Sequence, residues 1–585
     1  MRFRLAMIIV LCLSACAQPP NDGLSRLLDE YFEDYLRENP EQATSLGRTD
    51  HDTRWRDWSG SALQAWESRL RSYQERLEEF DVADLDLQDR ISLRLMSHQL
   101  EEELESLPYA ARLIRLNQLF GLHTSVLLTM REMPAQTETD YENMLARLVA
   151  VPTYVDQNIE TLRAAIEDGV VQPRLIVEIV VGQLEAQMAP GSDESPLLAP
   201  FRNMPAAIPE VQRQELASRA ARAYQEAFRP AWAKLASFLE DEYAPDARPM
   251  LAVSGLPGGA AIYEFFIRFH TTLDLSAREI HEIGLREADR IDSEMEAIAR
   301  AAGFQAGSRD YERHLLTDPR FLFTSKEQML AYHRDVAMRV APGLSRLFRN
   351  LPRHRVGIRA IPPDREAASA SNYNAPAADG SRPGWFNLKA YRAEKQSRFD
   401  KPALVLHETN PGHHLQIALQ LEMEGLPEFR KIFHTTSYVE GWALYAETLG
   451  EELGVYDDPP SRFGALESER FRARRLVVDT GLHAMGWTRE QAIEYLGDES
   501  EVDRYIAWPG QALAYKMGQL KILDLKAAAQ DAYGPSFDIR DFHDAVLRNG
   551  PLPLHMLEER VRAYIDRAGF RDDSEEAGAR AARSE

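Results

Sequence analysis

Apolar residues recur at intervals of three and four over most of residues 22–245. The pattern is clearest in three segments, SRLLDEYFEDYLREN, SALQAWESRLRSYQERLEEF and DLQDRISLRLMSHQLEEELESL. This spacing puts apolar side chains on one face of a helix and charged side chains on the opposite face. The first half of the chain is therefore predicted to be a layer of amphipathic helices, with its leucines and aromatic residues in the core.

The helical period breaks at Pro245–Gly259, where ARPMLAVSGLPGG is rich in Pro and Gly. The break predicts a domain boundary, with an N-terminal helical lobe at 17–245 and a second lobe at 246–575. Early in the second lobe a helix is expected, because Ser276 and Glu279 have the spacing of a capping box. Further on, RVGIRAIP and SNYNAPAADGSRPGWFNLKAY lack a helical period and predict short strands and loops.

The densest chemistry lies in LVLHETNPGHHLQ, which holds three histidines and a glutamate. Zinc-protease helices usually carry HExxH, in which the histidines are one turn apart and the glutamate is the general base. Here Pro411 stands where the second histidine would be, and the next histidines are His413 and His414. In an unbroken helix these lie about 9 to 10.5 Å along the axis from His407, too far for one ion. A break at Pro411 and Gly412 would bring a later histidine back.

A third ligand is expected from HTTSYVEGWALYAETLGEELG, downstream of the histidines. Glu440 borders the apolar face of the helix predicted there, so it is the expected ligand. Glu447 lies seven residues on, on the same side of the helix, and is expected to orient a histidine or to bind the metal instead. Two histidines and one carboxylate leave a fourth position for water on one Zn²⁺ ion per chain. Glu408, beside the first ligand His407, has the sequence position of the general base.

The net charge bears on the kind of partner. The formal net charge of −24 speaks against nucleic acid as a partner, because phosphate binding needs a basic surface.

Residues 1–16 combine MRFR, an apolar LAMIIVLCL and LSAC, the pattern of a lipoprotein signal peptide that ends at Cys16. The apolar run is shorter than the ~20 residues of a spanning helix. We expect Cys16 to be lipidated and Cys12 to leave with the signal, so that no thiol remains to bind metal.

The lipoprotein signal also predicts where in the cell the protein is located. The mature chain is expected to be anchored by lipid in the bacterial cell envelope and to face the periplasm. Ala17 follows the cysteine, which favours the outer membrane. At the other end of the chain, residues 576–585 are predicted to be a disordered tail.

Five segments resemble, in order, the signatures of the bacterial family called domain of unknown function 885: HETNPGHHLQ, EGWALYAE, RRLVVDTGLHAMGW, RYIAWPGQALAYKMG and LRNGPLPL. DGSRPGWF and TTLDLSAREIHEIG fit the same family, so the resemblance covers about residues 25–570. The family resembles zinc peptidases of the oligopeptidase, carboxypeptidase Taq and angiotensin-converting-enzyme type. The resemblance implies a mainly α fold of two large helical lobes around a deep cleft, with a small β-sheet near the metal helix.

The same resemblance bears on individual residues. PGHHL matches the GHAL of the HEFGHAL core in carboxypeptidase Taq and thimet-type oligopeptidases. This implies His413 as the ligand and leaves His414 as an alternative ligand or a supporting residue. In peptidases similar to angiotensin-converting enzyme, a late segment holds the oxyanion and the substrate carboxylate. By that resemblance RYIAWPGQALAYKMG offers Tyr505 or Tyr515 as the oxyanion donor. Its candidates for binding the substrate carboxylate are Arg504, Gln511 and Lys516.

Together these features predict a zinc-dependent peptidase that hydrolyses short peptides, with metal-activated water and Glu408 as the general base. A metal-dependent hydrolase of a non-peptide amide is an alternative in the same class. A different class is a non-catalytic periplasmic lipoprotein that binds peptides, which would gain support if His413 and His414 both closed the metal site. The predicted strands are either a structural hairpin or an edge that pairs with an extended peptide.

Overall fold

The computed structural model describes residues 22–567, except 110, 111, 114, 363–365, 367–369, 379 and 381. The predicted signal peptide with Cys16 and the predicted tail 576–585 lie outside the described residues. In the described part of the chain, every helix is too short or too polar to cross a membrane.

The chain is mainly helical with one small sheet, as predicted. The amphipathic segments at its start form the first helices, and the capping box between Ser276 and Glu279 is confirmed. The two-lobed, metallopeptidase-like arrangement around a deep cleft stays a prediction.

The first eleven α-helices cover most of the N-terminal half. They are α1 Asp22–Glu38, α2 Pro40–Ser45, α3 Gly60–Leu77, α4 Leu87–Tyr109, α5 Leu122–Glu132, α6 Glu138–Glu167, α7 Arg174–Met188, α8 Ala199–Arg202, α9 Glu210–Ala223, α10 Arg229–Phe238 and α11 Ala244–Asp246. Two π-helical turns, Tyr224–Phe228 and Leu239–Tyr243, join the last three into one continuous run.

The remaining helices flank the sheet and carry the candidate site. They are α12 Gly259–Thr271, α13 Ala277–Ala301, α14 Ser308–Thr317, α15 Lys326–Val340, α16 Leu344–Leu347, α17 Lys401–Glu408, α18 His413–Leu421, α19 Glu428–Ile432, α20 Thr436–Glu447, α21 Pro459–Ala484, α22 Arg489–Leu496, α23 Glu499–Ala507, α24 Ala514–Tyr533 and α25 Ile539–Leu547. The last described stretch, 554–567, is helical as well.

The sheet has three strands, β1 Val356–Ala360, β2 Asn372–Asn374 and β3 Gly384–Leu388. β3 lies in the middle, parallel to β1 and antiparallel to β2. β2 is therefore an edge strand, and its Tyr373 stands opposite Phe386 of β3. The predicted strands are confirmed.

Two large hydrophobic cores hold the helices together. The first combines α1, α3 and α4 with α15, the sheet, α17, α20, α24 and α25. The second combines α5 to α10 with α21, α22 and α23. Each core joins residues from both sides of the predicted boundary near residue 245, and the division into two domains stays a prediction. The long helix α21 supplies side chains to the second core and also lies beside the candidate site.

Helices α20 and α24 cross at a very short distance. A Cβ on Gly441 would lie 2.4 Å from the Cα of Gly518, and a Cβ on Gly518 would lie 1.9 Å from the carbonyl oxygen of Ser437. Glycine at both positions therefore lets the two backbones touch. This crossing brings the N-terminal turn of α24, with Tyr515, beside the helices that carry the predicted metal ligands.

Candidate metal centre

The metal-ligand segment is broken where the sequence predicts. α17 ends at Glu408, and α18 begins at His413. Between them the backbone folds back on α17, because the amide of Gly412 donates to the carbonyl oxygen of Leu406 at 2.9 Å. A Cβ on Gly412 would lie 2.0 Å from the carbonyl oxygen of His407, so only glycine allows this approach.

The fold-back brings three predicted ligands together. Nε2 of His407 lies 3.5 Å and Nε2 of His413 lies 3.4 Å from the same oxygen of Glu440. One ligand atom from each residue lies within 4.8 Å of the others. Around a tetrahedral ion with bonds of about 2.0 Å, neighbouring ligand atoms are about 3.3 Å apart. The three side chains therefore form a possible His/Glu metal-binding triad, with room for one ion.

Glu447 orients the first histidine. Its carboxylate accepts a hydrogen bond from Nδ1 of His407 at 2.8 Å. Because a carboxylate can only accept, the Nδ1 proton is fixed, and in the neutral imidazole the Nε2 lone pair is directed at the triad. Glu447 is itself buried, within 3.8 Å of Arg472 on α21. A carboxylate that orients a ligating histidine in this way is usual in metal sites.

The pocket favours positive charge. Burial lowers the pKa of His407, but hydrogen bonding with Glu440 and Glu447 outweighs it and raises the pKa to about 9. Burial raises the pKa of Glu440, but His413 and His407 outweigh burial and hold it well below the usual range. The carboxylates and imidazoles thus offer a negative, cation-binding environment. With no thiol among them, the donor set of two imidazoles and a carboxylate suits zinc.

Glu408 lies next to the triad with a free oxygen. The residue is buried, and its Oε2 has no hydrogen-bond partner among the described residues. Burial raises its pKa, partly offset by His407 and His413. Such an unpartnered buried carboxylate is costly unless something binds to it. Its position suits a proton acceptor for a molecule held at the triad.

His414, the alternative ligand, is engaged elsewhere. Its Nε2 donates to the carbonyl oxygen of His354 at 3.0 Å, so its Nδ1 is the acceptor for the hydroxyl of Tyr373 at 2.9 Å. Burial lowers the pKa of His414 to about 4, which matches this neutral form. Both ring nitrogens are used, and the triad contains His413 instead.

Tyr373 is a residue of the site that the sequence did not single out. It lies on the edge strand β2, and its ring is nearly parallel to that of His413 with centroids 6.3 Å apart. The segment SNYN predicts a strand but carries no chemical motif. Its place beside His413 follows from the pairing of β2 with β3, which no local pattern reveals.

The two predicted tyrosines have different surroundings. The hydroxyl of Tyr505 donates to Glu501 at 2.8 Å, and the residue is fully buried. The hydroxyl of Tyr515 instead accepts from Nη2 of Arg504 at 3.3 Å, so its own proton stays available. The Tyr515 ring stacks beside that of His407, with centroids 6.4 Å apart. The structure thus brings Tyr515 to the triad.

The three predicted carboxylate-binding residues also differ. Arg504 donates to Glu501, Gln511 and Tyr515. Lys516 is fully buried, and its ammonium forms ion pairs with Glu287 at 2.9 Å and Glu469 at 2.6 Å. Arg504 and Gln511 therefore lie beside Tyr515, whereas the charge of Lys516 is already matched by two carboxylates.

Asp479 and His483 of α21 anchor neighbouring loops. Asp479 accepts from the hydroxyl of Tyr263 at 2.7 Å and from the amide of Gly510 at 3.1 Å. His483 accepts from the amide of Val253 and donates to the carbonyl oxygen of Tyr505. Asp479 thereby holds the loop in front of α24, which positions Tyr515.

Fold and site define a mainly helical protein with a candidate His/Glu metal centre. Residues 40–561 match the family described as "Bacterial protein of unknown function (DUF885)". The chain therefore belongs to this family, as the sequence motifs predicted. The likeness to zinc peptidases stays a prediction.

Two solved structures are similar along almost their whole length. "The putative lipoprotein from Colwellia psychrerythraea" shares 29% identity and a TM-score of 0.88, over 93% of this chain and 99% of that chain. A "putative lipoprotein of unknown function from Shewanella oneidensis" has the same fold, with 17% identity and a TM-score of 0.71, over 92% of this chain and 99% of that chain. No curated protein matches the chain.

Proposed function

We propose that this protein is a zinc-dependent peptidase that hydrolyses short peptides. The observation that carries the proposal is the triad of His407, His413 and Glu440 with the free carboxylate oxygen of Glu408 beside it. His414 is engaged with the sheet, so three protein ligands remain and a fourth position stays open. An open position suits a catalytic zinc site, whereas structural sites have four protein ligands.

Zinc bound at the triad would supply a Lewis acid and would make water easier to deprotonate. Glu408 accepts the proton of the attacking water and delivers it to the leaving nitrogen. Tyr515 donates its hydroxyl proton in a hydrogen bond to the oxyanion, while Arg504 holds the phenol oxygen in place. Glu447 keeps His407 oriented throughout.

The edge strand β2 supports a peptide as the substrate. Its outer edge has no neighbouring strand among the described residues, and its Tyr373 lies against His413. An extended peptide that pairs with such an edge would run past the triad with its carbonyl groups in a regular order. A non-peptide amide would gain nothing from this edge.

The protein is proposed to act at the cell envelope, anchored through a lipid on Cys16 and facing the periplasm from the outer membrane. Both similar structures are described as a "putative lipoprotein", which supports the lipid anchor. The N-terminal lipoprotein pattern supports the same anchoring.

One experiment tests the function directly. Protein lacking residues 1–16 is loaded with zinc, analysed for metal and incubated with a mixed peptide library and with non-peptide amides. Glu408→Gln should retain one zinc and lose cleavage by at least a hundredfold, because proton transfer fails while the ligands remain. Glu424→Gln, an exposed glutamate, is the matched control and should cleave normally. Equal cleavage by the Glu408 variant and the wild type would refute the proposal.

A further inference from the structure

A buried arginine beside the candidate site has too few acceptors. Arg475 on α21 is only 5% exposed, and its guanidinium donates to Glu501 at 2.9 Å. Its Nε and Nη1 have no hydrogen-bond partner in the described part of the chain. The buried Arg430 also has an unpartnered Nε, but both of its terminal nitrogens donate, to acceptors of Gln88, Ser92 and Asn549. Unmade hydrogen bonds of a buried charged group are costly, so the donors of Arg475 are arranged for an acceptor that the chain does not supply.

The charges around Arg475 do not balance either. Glu501 is the carboxylate that pairs with both Arg475 and Arg504, at 2.9 and 3.2 Å, and it also accepts from the hydroxyl of Tyr505. Burial raises the pKa of Glu501, but the two arginines outweigh burial and lower it to about 2, so the group is charged. Two guanidinium groups against one carboxylate leave an excess positive charge. A buried charge in excess favours an anionic ligand.

This excess charge lies within reach of the triad. The Cζ atom of Arg475 lies 4.6 Å from the ring centroid of Tyr515, and that centroid lies 6.4 Å from the ring centroid of His407. Arg475 is therefore at most about 11 Å from the ring of the metal ligand. An extended peptide advances about 3.3–3.6 Å per residue. An anionic group at Arg475 would thus belong to a residue no more than about three positions from the reacting carbonyl.

The cluster is not fully closed to solvent. The side chains of Arg504 and Glu501 are 16% and 17% exposed, against 6% for Arg475. The face of Arg475 stacks on Phe471 and Tyr515, which fixes the plane of the guanidinium. A planar, fixed guanidinium holds its free N–H groups in set positions, from which they can donate charge-assisted hydrogen bonds to an anionic group.

We propose that Arg475, together with Arg504, binds a carboxylate of the substrate within about three residues of the bond that is cut. This inference rests on the proposed peptidase function. The chemistry is that of a peptide C-terminus or of an aspartate or glutamate side chain. Arg475 is a binding residue, and in the C-terminal case the protein removes short pieces from the C-terminal ends of peptides.

Three peptides that share one sequence apart from the last residue distinguish the two sources. The first has a free C-terminal carboxylate, the second a C-terminal amide, and the third a C-terminal amide with glutamate as the last residue. Wild-type protein should cleave the first with a kcat/KM roughly 10- to 100-fold above that of the second, the range of a charged hydrogen bond. If an acidic side chain is the source, the third peptide matches or exceeds the first. Equal kcat/KM for all three would overturn the inference.

Variants separate binding from folding. Arg475→Gln should raise KM for the preferred peptide and abolish the preference, with a smaller change in kcat. The matched control is Arg474→Gln, which changes an arginine on the same helix that contacts the surface residue Asp292 at 3.5 Å and should keep the preference. Thermal unfolding confirms that both variants are folded. An Arg475→Gln protein that keeps the full preference refutes the proposal.

A binding assay keeps this inference distinguishable from the proposed function. Fluorescently labelled versions of the three peptides are titrated into Glu408→Gln protein, with and without Arg475→Gln. One outcome is that binding prefers a carboxylate and depends on Arg475, while the wild-type protein cleaves none of the peptides. That outcome would support the arginine site and refute the peptidase function. Cleavage without any carboxylate preference would do the reverse. If none of the peptides is bound or cleaved, both proposals fall.

Discussion

Gly412 decides whether the triad can form, and its replacement by alanine is the sharpest test of the site geometry. The new Cβ would lie 2.0 Å from the carbonyl oxygen of His407 and 2.3 Å from that of Leu406. Non-bonded carbon and oxygen atoms need about 3 Å or more. The segment after α17 must therefore retreat by about 1 Å, and it carries His413 with it.

A retreat of this size is far beyond what a metal site tolerates, because bond lengths to zinc vary by only about 0.2 Å. We expect Gly412→Ala to weaken zinc binding by at least tenfold. Forcing a methyl group into a packed interior also costs about 1–3 kcal/mol of stability, which thermal unfolding of the metal-free protein measures. The loss of zinc affinity and the loss of stability have the same cause, the added methyl group, but they are measured in separate assays.

Zinc affinity is measured by competition with a chromophoric chelator, using protein lacking residues 1–16. Gly182→Ala is the matched control, because a Cβ at this helical glycine of α7 meets no atom within 4 Å. That variant should bind zinc normally and be slightly more stable, since alanine favours helix over glycine. If Gly412→Ala binds zinc as tightly as the wild type, the close turn does not set the position of His413 and the reasoning is refuted.

Three further predictions concern groups around the triad. Glu447→Gln should weaken zinc binding about 10- to 100-fold by loosening His407, and unchanged affinity in the chelator assay would contradict its role. Tyr515→Phe should lower kcat about a hundredfold or more with little change in KM, whereas Tyr505→Phe should change it only a few-fold; equal losses would refute the choice between them. Burial raises the pKa of Asp479 to about 7, above the unfolded value, so its stabilising contribution is full below pH ~4 and is lost as the pH rises through 7. Asp479→Asn should therefore show a smaller fall in melting temperature between pH 4 and pH 7 than the wild type, and an identical fall would count against this pKa.

Local patterns in the sequence account for much of the fold. The period of three and four in the N-terminal half, the capping box at Ser276 and the Pro-Gly break after Glu408 all appear in the structure as predicted. These features depend on neighbours in the chain, and physical rules for short segments apply to them directly. The break itself could be predicted because Pro411 and Gly412 interrupt a helical segment.

The path of the backbone between Glu408 and His413 could not be predicted from the sequence pattern. Which histidine reaches the triad depends on a backbone contact between Gly412 and the end of α17, a contact that no spacing rule contains. The hydrogen-bond partner of Tyr505 could have been predicted from the sequence. Glu501 lies four residues before Tyr505 on one helix, and side chains at that spacing meet. Arg475 has the same spacing to Asp479, yet its carboxylate partner is Glu501 on another helix. Tertiary packing, not spacing, selects that pair.

The adjacent residues His413 and His414 have different but related contacts. Successive residues of a helix point about 100° apart, so His413 and His414 at the start of α18 face different neighbours. His413 points toward Glu440 in the triad, and His414 accepts a hydrogen bond from the hydroxyl of Tyr373 on the edge strand. The same turn that delivers a ligand therefore ties the strand beside it to the metal helix. A peptide paired with that strand would lie in a defined position relative to the triad, because the hydrogen bond between Tyr373 and His414 joins the strand to the helix that carries His413.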